Sequence, residues 1–464
     1  MRNALRAVGL SAAAALLATA AVAQERKLTL ERLNTDPPLG GTLPTSLAWH
    51  PDGKRLTYLR HRSVDAAADL VATDAGSGRE ALLLSGDSVK NPTTGKPLPL
   101  DDYRWSPEGE RLLVSAADDV FLVDAKTGSV RALTRTPEAE ELALLSPDGR
   151  RVAFVRKNDL YVVDVQSGRE TRLTKSGSDT LLNGRLDWVY EEELASRSAR
   201  AFWWAPDSDA VAYLQLDQSR VPTFPIVDFL PVHNELKTQR YPKAGDPNAI
   251  VRVGVVGIAK DGAPGPERLT SFDPDDVYVL PDLAFTPDGR GLAFSWMNRA
   301  QSELQLRLLT VPVSPTAPLG AARTVVTERS ETWLNAPPAP VFLKDGHRFL
   351  WLSERTGFAH LYLCELTGSC RAVTQGNWLV DAQPSFAGVG GAIQVAERTG
   401  FVYFVATEKD PRERHLYRAR LDGTGRARLT KEDGTHRVLV SPDGRFYADT
   451  RSSLDAPPAL VVSS

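Results

Sequence analysis

Ser146-Pro147-Asp148-Gly149 opens a unit that continues through a strand at 151–155, an Asp-containing turn, a second strand at 160–163, a Ser-Gly turn and a third strand closing on Leu173-Thr174. The stretch from Ser106-Pro107-Glu108-Gly109 to Thr134 aligns with it residue for residue, without a gap. Pro and Gly set the turn dihedrals, while β-branched and aromatic residues fill the strands. The signature returns at Pro51-Asp52-Gly53, Pro206-Asp207-Ser208, Pro287-Asp288-Gly289, Lys344-Asp345-Gly346 and Pro442-Asp443-Gly444. One more unit lacks the opening turn but keeps the body, from Phe401-Val402-Tyr403-Phe404 to Leu429-Thr430. Eight units result, spaced by roughly 40 to 80 residues, and short strands repeated at such a period are the mark of β-propeller blades. The chain is therefore predicted to be all-β, an eight-bladed β-propeller. Radial stacking lets each blade bury its apolar faces against two neighbours. The competing arrangement, a long open sheet, does not account for the regular return of one turn.

This repeat resolves a difficulty of length, since 464 residues exceed a typical single domain and repeat architectures escape that limit. A formal net charge of -3 gives no basic footprint, so neither nucleic acid nor an anionic membrane is an expected partner. Residues 1–23 read as a secretory signal peptide: Arg2 and Arg6, an alanine-rich apolar run, then Ala21-Val22-Ala23 before Gln24. The run is shorter than the roughly 20 residues of a spanning helix; an uncleaved anchor is the competing reading. No later segment is long and apolar enough to span a bilayer. Residues 24–464 are expected to be a soluble propeller domain, secreted or periplasmic. In that oxidising setting Cys364 and Cys370, flanking a hairpin loop, are expected to form a disulfide; two reduced buried thiols are the alternative. The two cysteines and seven histidines show no metal-binding spacing, so no metal or other cofactor is expected.

The fourth unit departs from the pattern. Between Thr174 and Trp203 it inserts Leu186-Asp187-Trp188-Val189-Tyr190-Glu191-Glu192-Glu193-Leu194, and after Gln215 it inserts a proline-rich segment over about 219–248. Long excursions from a regular scaffold are where function tends to be placed. Residues 190–201 hold no Gly or Pro and favour a short helix; the prolines of the second insertion favour an extended arm. An acidic triplet is most often a solvated helix face. Set beside Trp188 and Tyr190, however, two adjacent carboxylates make a receptor for a cationic amine. Charge-assisted N–H···O bonds to an ammonium are short and strong, and an aromatic face adds cation–π attraction.

Asp187-Trp188-Val189-Tyr190-Glu191-Glu192-Glu193 followed by Trp203-Trp204-Ala205-Pro206 resembles the dipeptidyl peptidase IV family of prolyl oligopeptidase-like serine peptidases. So do Asn183-Gly184, Leu216-Asp217-Gln218-Ser219, Tyr241-Pro242-Lys243-Ala244-Gly245 and Asn298-Arg299-Ala300-Gln301. The resemblance covers the mature chain and implies the family's eight-bladed propeller. It implies that Glu192 and Glu193 hold the free amino terminus of an oligopeptide, Xaa-Pro by preference, and that the arm around 219–245 contacts a partner in a homodimer. Two departures stand out. The family's substrate-gripping arginine sits on a longer hairpin of the second blade, whereas Ser115-Ala116-Ala117-Asp118-Asp119 is short and lacks one, so none is assigned. Family members also carry an α/β-hydrolase domain with a Gly-x-Ser-x-Gly elbow and a Ser, Asp, His triad, and no such elbow occurs in these 464 residues. The expectation is a substrate-gating propeller of an exported serine exopeptidase, with no catalytic residue in this chain. A free-standing periplasmic propeller acting as a binding or scaffold module is the alternative.

Overall fold

The computed structural model describes residues 28–35, 39, 41–63, 66–195, 198–382 and 393–464. The expected signal peptide, 1–23, lies outside them. A single helical turn, Leu30–Leu33, begins at Thr29, whose Oγ1 accepts the Arg32 N–H at 3.2 Å. Among the described residues no helix is long and apolar enough to cross a membrane.

Leu43–Ser464 is one compact unit made of antiparallel sheets in chain order. Blades 1 to 8 occupy residues 45–84, 104–132, 141–172, 181–269, 277–329, 341–372, 394–428 and 435–463. Each blade's strands are hydrogen-bonded in sequence order; in blades 4 and 5 the first strand is broken in two, and blade 8 has three strands. The eight sequence units and the eight sheets coincide.

Period-two alternation explains how the sheets stack, because successive side chains of a strand face opposite sides. In blade 2, Leu112 and Val114 pack with Leu59 and Leu70 of blade 1, while Leu113 packs with Val152 and Phe154 of blade 3. The pattern repeats around the molecule. Eight apolar clusters each join two neighbouring blades. The last unites Trp49, Leu56 and Tyr58 of blade 1 with Ala448, Leu439 and Phe446 of blade 8. Trp49 Nε1 also donates to the Leu439 carbonyl at 2.9 Å. The succession of interfaces returns to its start, so the blades form a closed ring.

The repeated residues have identifiable work. Gly109 holds φ at +74°, and a Cβ there would lie 2.6 Å from the His50 ring of the neighbouring blade; only glycine satisfies both demands. The recurrent Leu-Thr ending, Val373-Thr374 in blade 6, supplies a hydroxyl that accepts the N–H of a residue entering the third strand: Thr134 from Val120, Thr174 from Leu160, Thr374 from Leu361 and Thr430 from Leu416, at 2.9 to 3.1 Å. This fastens a short outer strand to its blade. In blade 6, Cys364 and Cys370 lie directly opposite each other and are joined as a disulfide. The arm of blade 4 is a regular hairpin, Thr223–Asp228 paired throughout with Glu235–Arg240. Both of its strands are edges, which is where Pro225 can sit without costing a ladder bond.

Candidate functional site

The glutamate stretch interrupts the first strand of blade 4. The chain runs through Leu181–Asn183, leaves at Gly184, and rejoins the sheet at Phe202–Trp204. The two feet of the excursion are bonded to each other. Ala201 N–H donates to the Gly184 carbonyl, Leu186 N–H to the Ala199 carbonyl, both at 2.9 Å, and Arg185 bridges Arg200. Gly184 makes the exit: its φ is +74°, and a Cβ would approach Leu160 Cδ2 to 2.5 Å. Asn183, fully buried, fixes the foot by donating Nδ2 to Asp159 Oδ1 at 2.9 Å and accepting Gln215 Nε2 at 2.9 Å.

Inside the loop Asp187 starts a short helix. Its Oδ1 accepts the Tyr190 N–H at 3.0 Å and its carbonyl accepts the Glu191 N–H at 2.9 Å. Burial pushes the Asp187 carboxyl up to about 6, against the opposing pull of that Tyr190 N–H. Tyr190–Leu194 is a π-turn. Widening the turn to i→i+5 bonding reduces the angle between successive residues, so neighbouring glutamates lie nearer one face than on an α-helix. Glu191 and Glu192 are half-buried and Glu193 is exposed. Tyr190 pins the turn: its ring is buried beside Leu186, Val279 and Leu283, and its hydroxyl accepts the Val279 N–H of blade 5 at 3.2 Å.

Two expectations need correction here. Helix expected over 190–201 stops at Leu194, and Ala195 already has φ -116° and ψ 13°; the chain must turn back to meet Gly184, and that closure overrides helix propensity. Tyr190 is also not an aromatic wall for a ligand, because it is spent as the anchor. Trp188 instead packs against Tyr241 at the base of the arm, with ring centroids 4.5 Å apart and the planes tilted by 43°, and Tyr241 meets Phe224 at 5.8 Å. The two insertions of blade 4 therefore form one aromatic-backed assembly.

An axial cavity of about 470 Å³ is lined by Pro51, Trp105, Leu144, Trp203, Trp204 and Phe285, contributed by blades 1 to 5. First strands from successive blades converge on it, which places it on the ring axis, and of the glutamate excursion Arg200, at the returning foot, lines it. A larger cavity of about 520 Å³ lies among blades 5, 6 and 7. Its acidic groups are engaged: Glu328 accepts from Trp351 and Arg355, and Glu354 accepts from Asn335. Among the described residues no cluster of His, Cys, Asp and Glu could hold a metal ion.

The family model described as the dipeptidyl peptidase IV (DPP IV) N-terminal region matches residues 106–458. The chain belongs to the dipeptidyl peptidase IV family. Among DPP IV relatives, it is 29% identical over 318 residues to a probable dipeptidyl-aminopeptidase B of Coccidioides posadasii, covering 63% of this chain and 33% of that one. It is 32% identical to the inactive dipeptidyl peptidase 10 of Rattus norvegicus, covering 54% of this chain and 31% of that one. The crystal structure of Porphyromonas gingivalis dipeptidyl peptidase 4 is similar with a TM-score of 0.75 at 26% identity, over 90% of this chain and 57% of that one. The chain thus spans about a third of the length of the curated DPP IV relatives it matches.

Against the DPP IV resemblance, the short blade 2 hairpin is as expected, turning on Ala117 and Asp118 at positive φ with no arginine. Sequence reading missed a different pair. Arg104 of blade 2 and Arg200 at the returning foot of the excursion both line the axial cavity. They are separated by some 100 positions of chain, so no local motif announces them; only blade register brings them together.

Proposed function

We propose that this chain is the substrate-gating propeller of an exported, DPP IV-like serine exopeptidase, and that Glu192 and Glu193 bind the free α-amino terminus of peptides. The supporting observation is the pinned turn: two adjacent glutamates on a widened helix, capped by Asp187 and anchored by Tyr190, on an excursion whose returning foot, Arg200, lines the axial cavity. An ammonium mostly charged at neutral pH gains charge-assisted bonds from such a pair and relieves the repulsion between its members. Xaa-Pro peptides are the proposed ligands, in a secreted or periplasmic setting. The arm, whose tip exposes Phe229, Leu230 and Val232 at 76, 87 and 96%, is proposed as a homodimer contact.

Binding of a Gly-Pro-led peptide, compared with its N-acetylated form, tests the amine receptor. The free form is expected to bind on the order of 10-fold tighter, one lost charge-assisted hydrogen bond being worth about 1.5–3 kcal/mol. Glu192→Gln and Glu193→Gln should each remove most of that preference with thermal stability retained. Equal affinity for the two peptides would sink the reading. The 464 residues contain no Gly-x-Ser-x-Gly, and as a recognition half they are expected to bind a chromogenic Gly-Pro substrate without turnover.

A second reading, a propeller that binds without any attached chemistry, is favoured by the similarity to a relative named as an inactive dipeptidyl peptidase. Reading the coding DNA onward from Ser464 separates the two. A Gly-x-Ser-x-Gly segment supports the gating propeller, and its absence supports the binding module.

A further inference from the structure

Arg104 and Arg200 line both the axial cavity and a smaller one of about 190 Å³ that also involves Asp102, Tyr103, Ser115 and Ser198. Shared by both, they stand at the neck between them. Each guanidinium carries five N–H donors. Among the described residues neither makes an ion pair, Arg104 makes no side-chain hydrogen bond, and Arg200 makes one, from Nη1 to the Phe202 carbonyl at 3.4 Å. Neighbouring arginines are not left this way: Arg185 pairs with Glu141, Arg156 with Glu140 and Glu170, and Arg172 with Asp159. Burial and the positive charge of Arg104 both depress the Arg200 guanidinium, while Asp282, itself accepting the Ala339 N–H at 2.7 Å, draws it the other way. Two like charges held together beside a Trp-lined cavity are a standing cost that a bound anion removes.

We propose that Arg104 and Arg200 form a carboxylate clamp at the neck of the axial channel and take the C-terminal carboxylate of short peptides. The planar fork of a guanidinium matches a carboxylate with two parallel hydrogen bonds. The neck is also placed for the far end of a peptide held by its amino terminus. Arg200 is the returning foot of the loop that carries Glu192 and Glu193, and Ser198, in the neck wall, donates its N–H to the Ala195 carbonyl just past the glutamate turn. An acidic pair on the excursion and a basic pair shared between its returning foot and blade 2 complement a zwitterion, so the ring reads both ends of a short peptide and disfavours long chains. The choice of a peptide rests on the amine-receptor reading; the clamp itself rests on the arginine pair.

Trp105, Trp203 and Trp204 line the channel, so tryptophan fluorescence of the full chain reports occupancy. Gly-Pro-led tri-, tetra- and pentapeptides are titrated in four forms: both ends free, N-acetylated, C-amidated, and both ends blocked. At one or more of these lengths C-amidation is expected to weaken binding about 10-fold, the loss of one charge-assisted pair. Arg104→Gln and Arg200→Gln should abolish the amidation effect and keep the acetylation effect; Arg104 is exposed, so its variant serves if Arg200→Gln does not fold. Indifference to amidation at every length, with acetylation still harmful, overturns the clamp and leaves the amine receptor standing. The reverse pattern keeps the clamp and removes the amine receptor. Variants that retain full sensitivity to amidation, or a chain that binds none of the peptides, overturn the clamp.

Discussion

Asp187 carries the clearest titration signature of the site. Its carboxyl is buried, and burial raises it to about 6. A folded-state pKa above the unfolded value means that the folded chain holds the proton longer. Stability therefore falls as pH rises through the window from about 4 to about 6, and the loss is complete above it. The rise from an ordinary aspartate to about 6 corresponds to on the order of 2–3 kcal/mol. Asn at this position keeps a side-chain oxygen for the Tyr190 N–H and has no proton to lose. The difference in unfolding free energy between the Asp187→Asn variant and the parent should thus grow in the variant's favour between pH 4 and pH 6.5, then level off. Denaturant melts across that range give the measurement, and parallel pH profiles for the two proteins would show that Asp187 is not charged at the cost inferred. At neutral pH this residue destabilises the turn it caps.

The excursion as an element depends less on its own helix than on its two feet. Gly184→Ala forces a side chain into left-handed backbone and against Leu160, so it should cost about 1–3 kcal/mol and tilt the loop away from the axis. Tyr190→Phe removes the acceptor of a buried N–H and should cost about 1–3 kcal/mol without adding bulk. Both variants are expected to lose affinity for a free-amino-terminal peptide while the far blades keep native protection in hydrogen exchange. Unchanged affinity in both would mean that the turn needs no anchoring. These roles also mark how far sequence could be read. The turn signals and the Leu-Thr endings exposed eight units because each blade repeats the same local problem, and the acidic triplet stood out because it breaks that repeat. The helix was read too long, since its end is imposed by pairing of residues 184–186 with 199–201, a closure no propensity encodes. The task of Tyr190 was invisible for the same reason: its partner, Val279, lies in the next blade. The arginine pair was illegible because its two members belong to non-adjacent blades.

At the scale of the whole ring, the seam between blades 8 and 1 decides how the propeller opens. Among the described residues no strand crosses it: blade 1 is built from residues 45–84 and blade 8 from 435–463, so closure relies on side chains. Five buried apolar residues form that cluster among the described residues, and five form the one between blades 7 and 8, against nineteen between blades 4 and 5. Apolar burial is the main favourable term in such interfaces and scales with the area removed from water. Blade 8, flanked by the two thinnest clusters, should therefore be the unit of lowest local stability. Trp49→Ala deletes the ring that stacks on Phe446 and the donor to Leu439, and should cost about 3–5 kcal/mol. Phe294→Ala, inside the cluster between blades 4 and 5, should cost a similar amount. The two differ in where the loss appears. Hydrogen exchange in the Trp49 variant should accelerate first in residues 435–463 and then in 45–84, because a blade released at the seam keeps support on one side only. In the Phe294 variant the ring stays shut at the seam, and exchange should rise around 210–300 with blade 8 little changed. If both variants loosen the ring uniformly, the seam is no weaker than any other interface and the propeller opens as a single cooperative body.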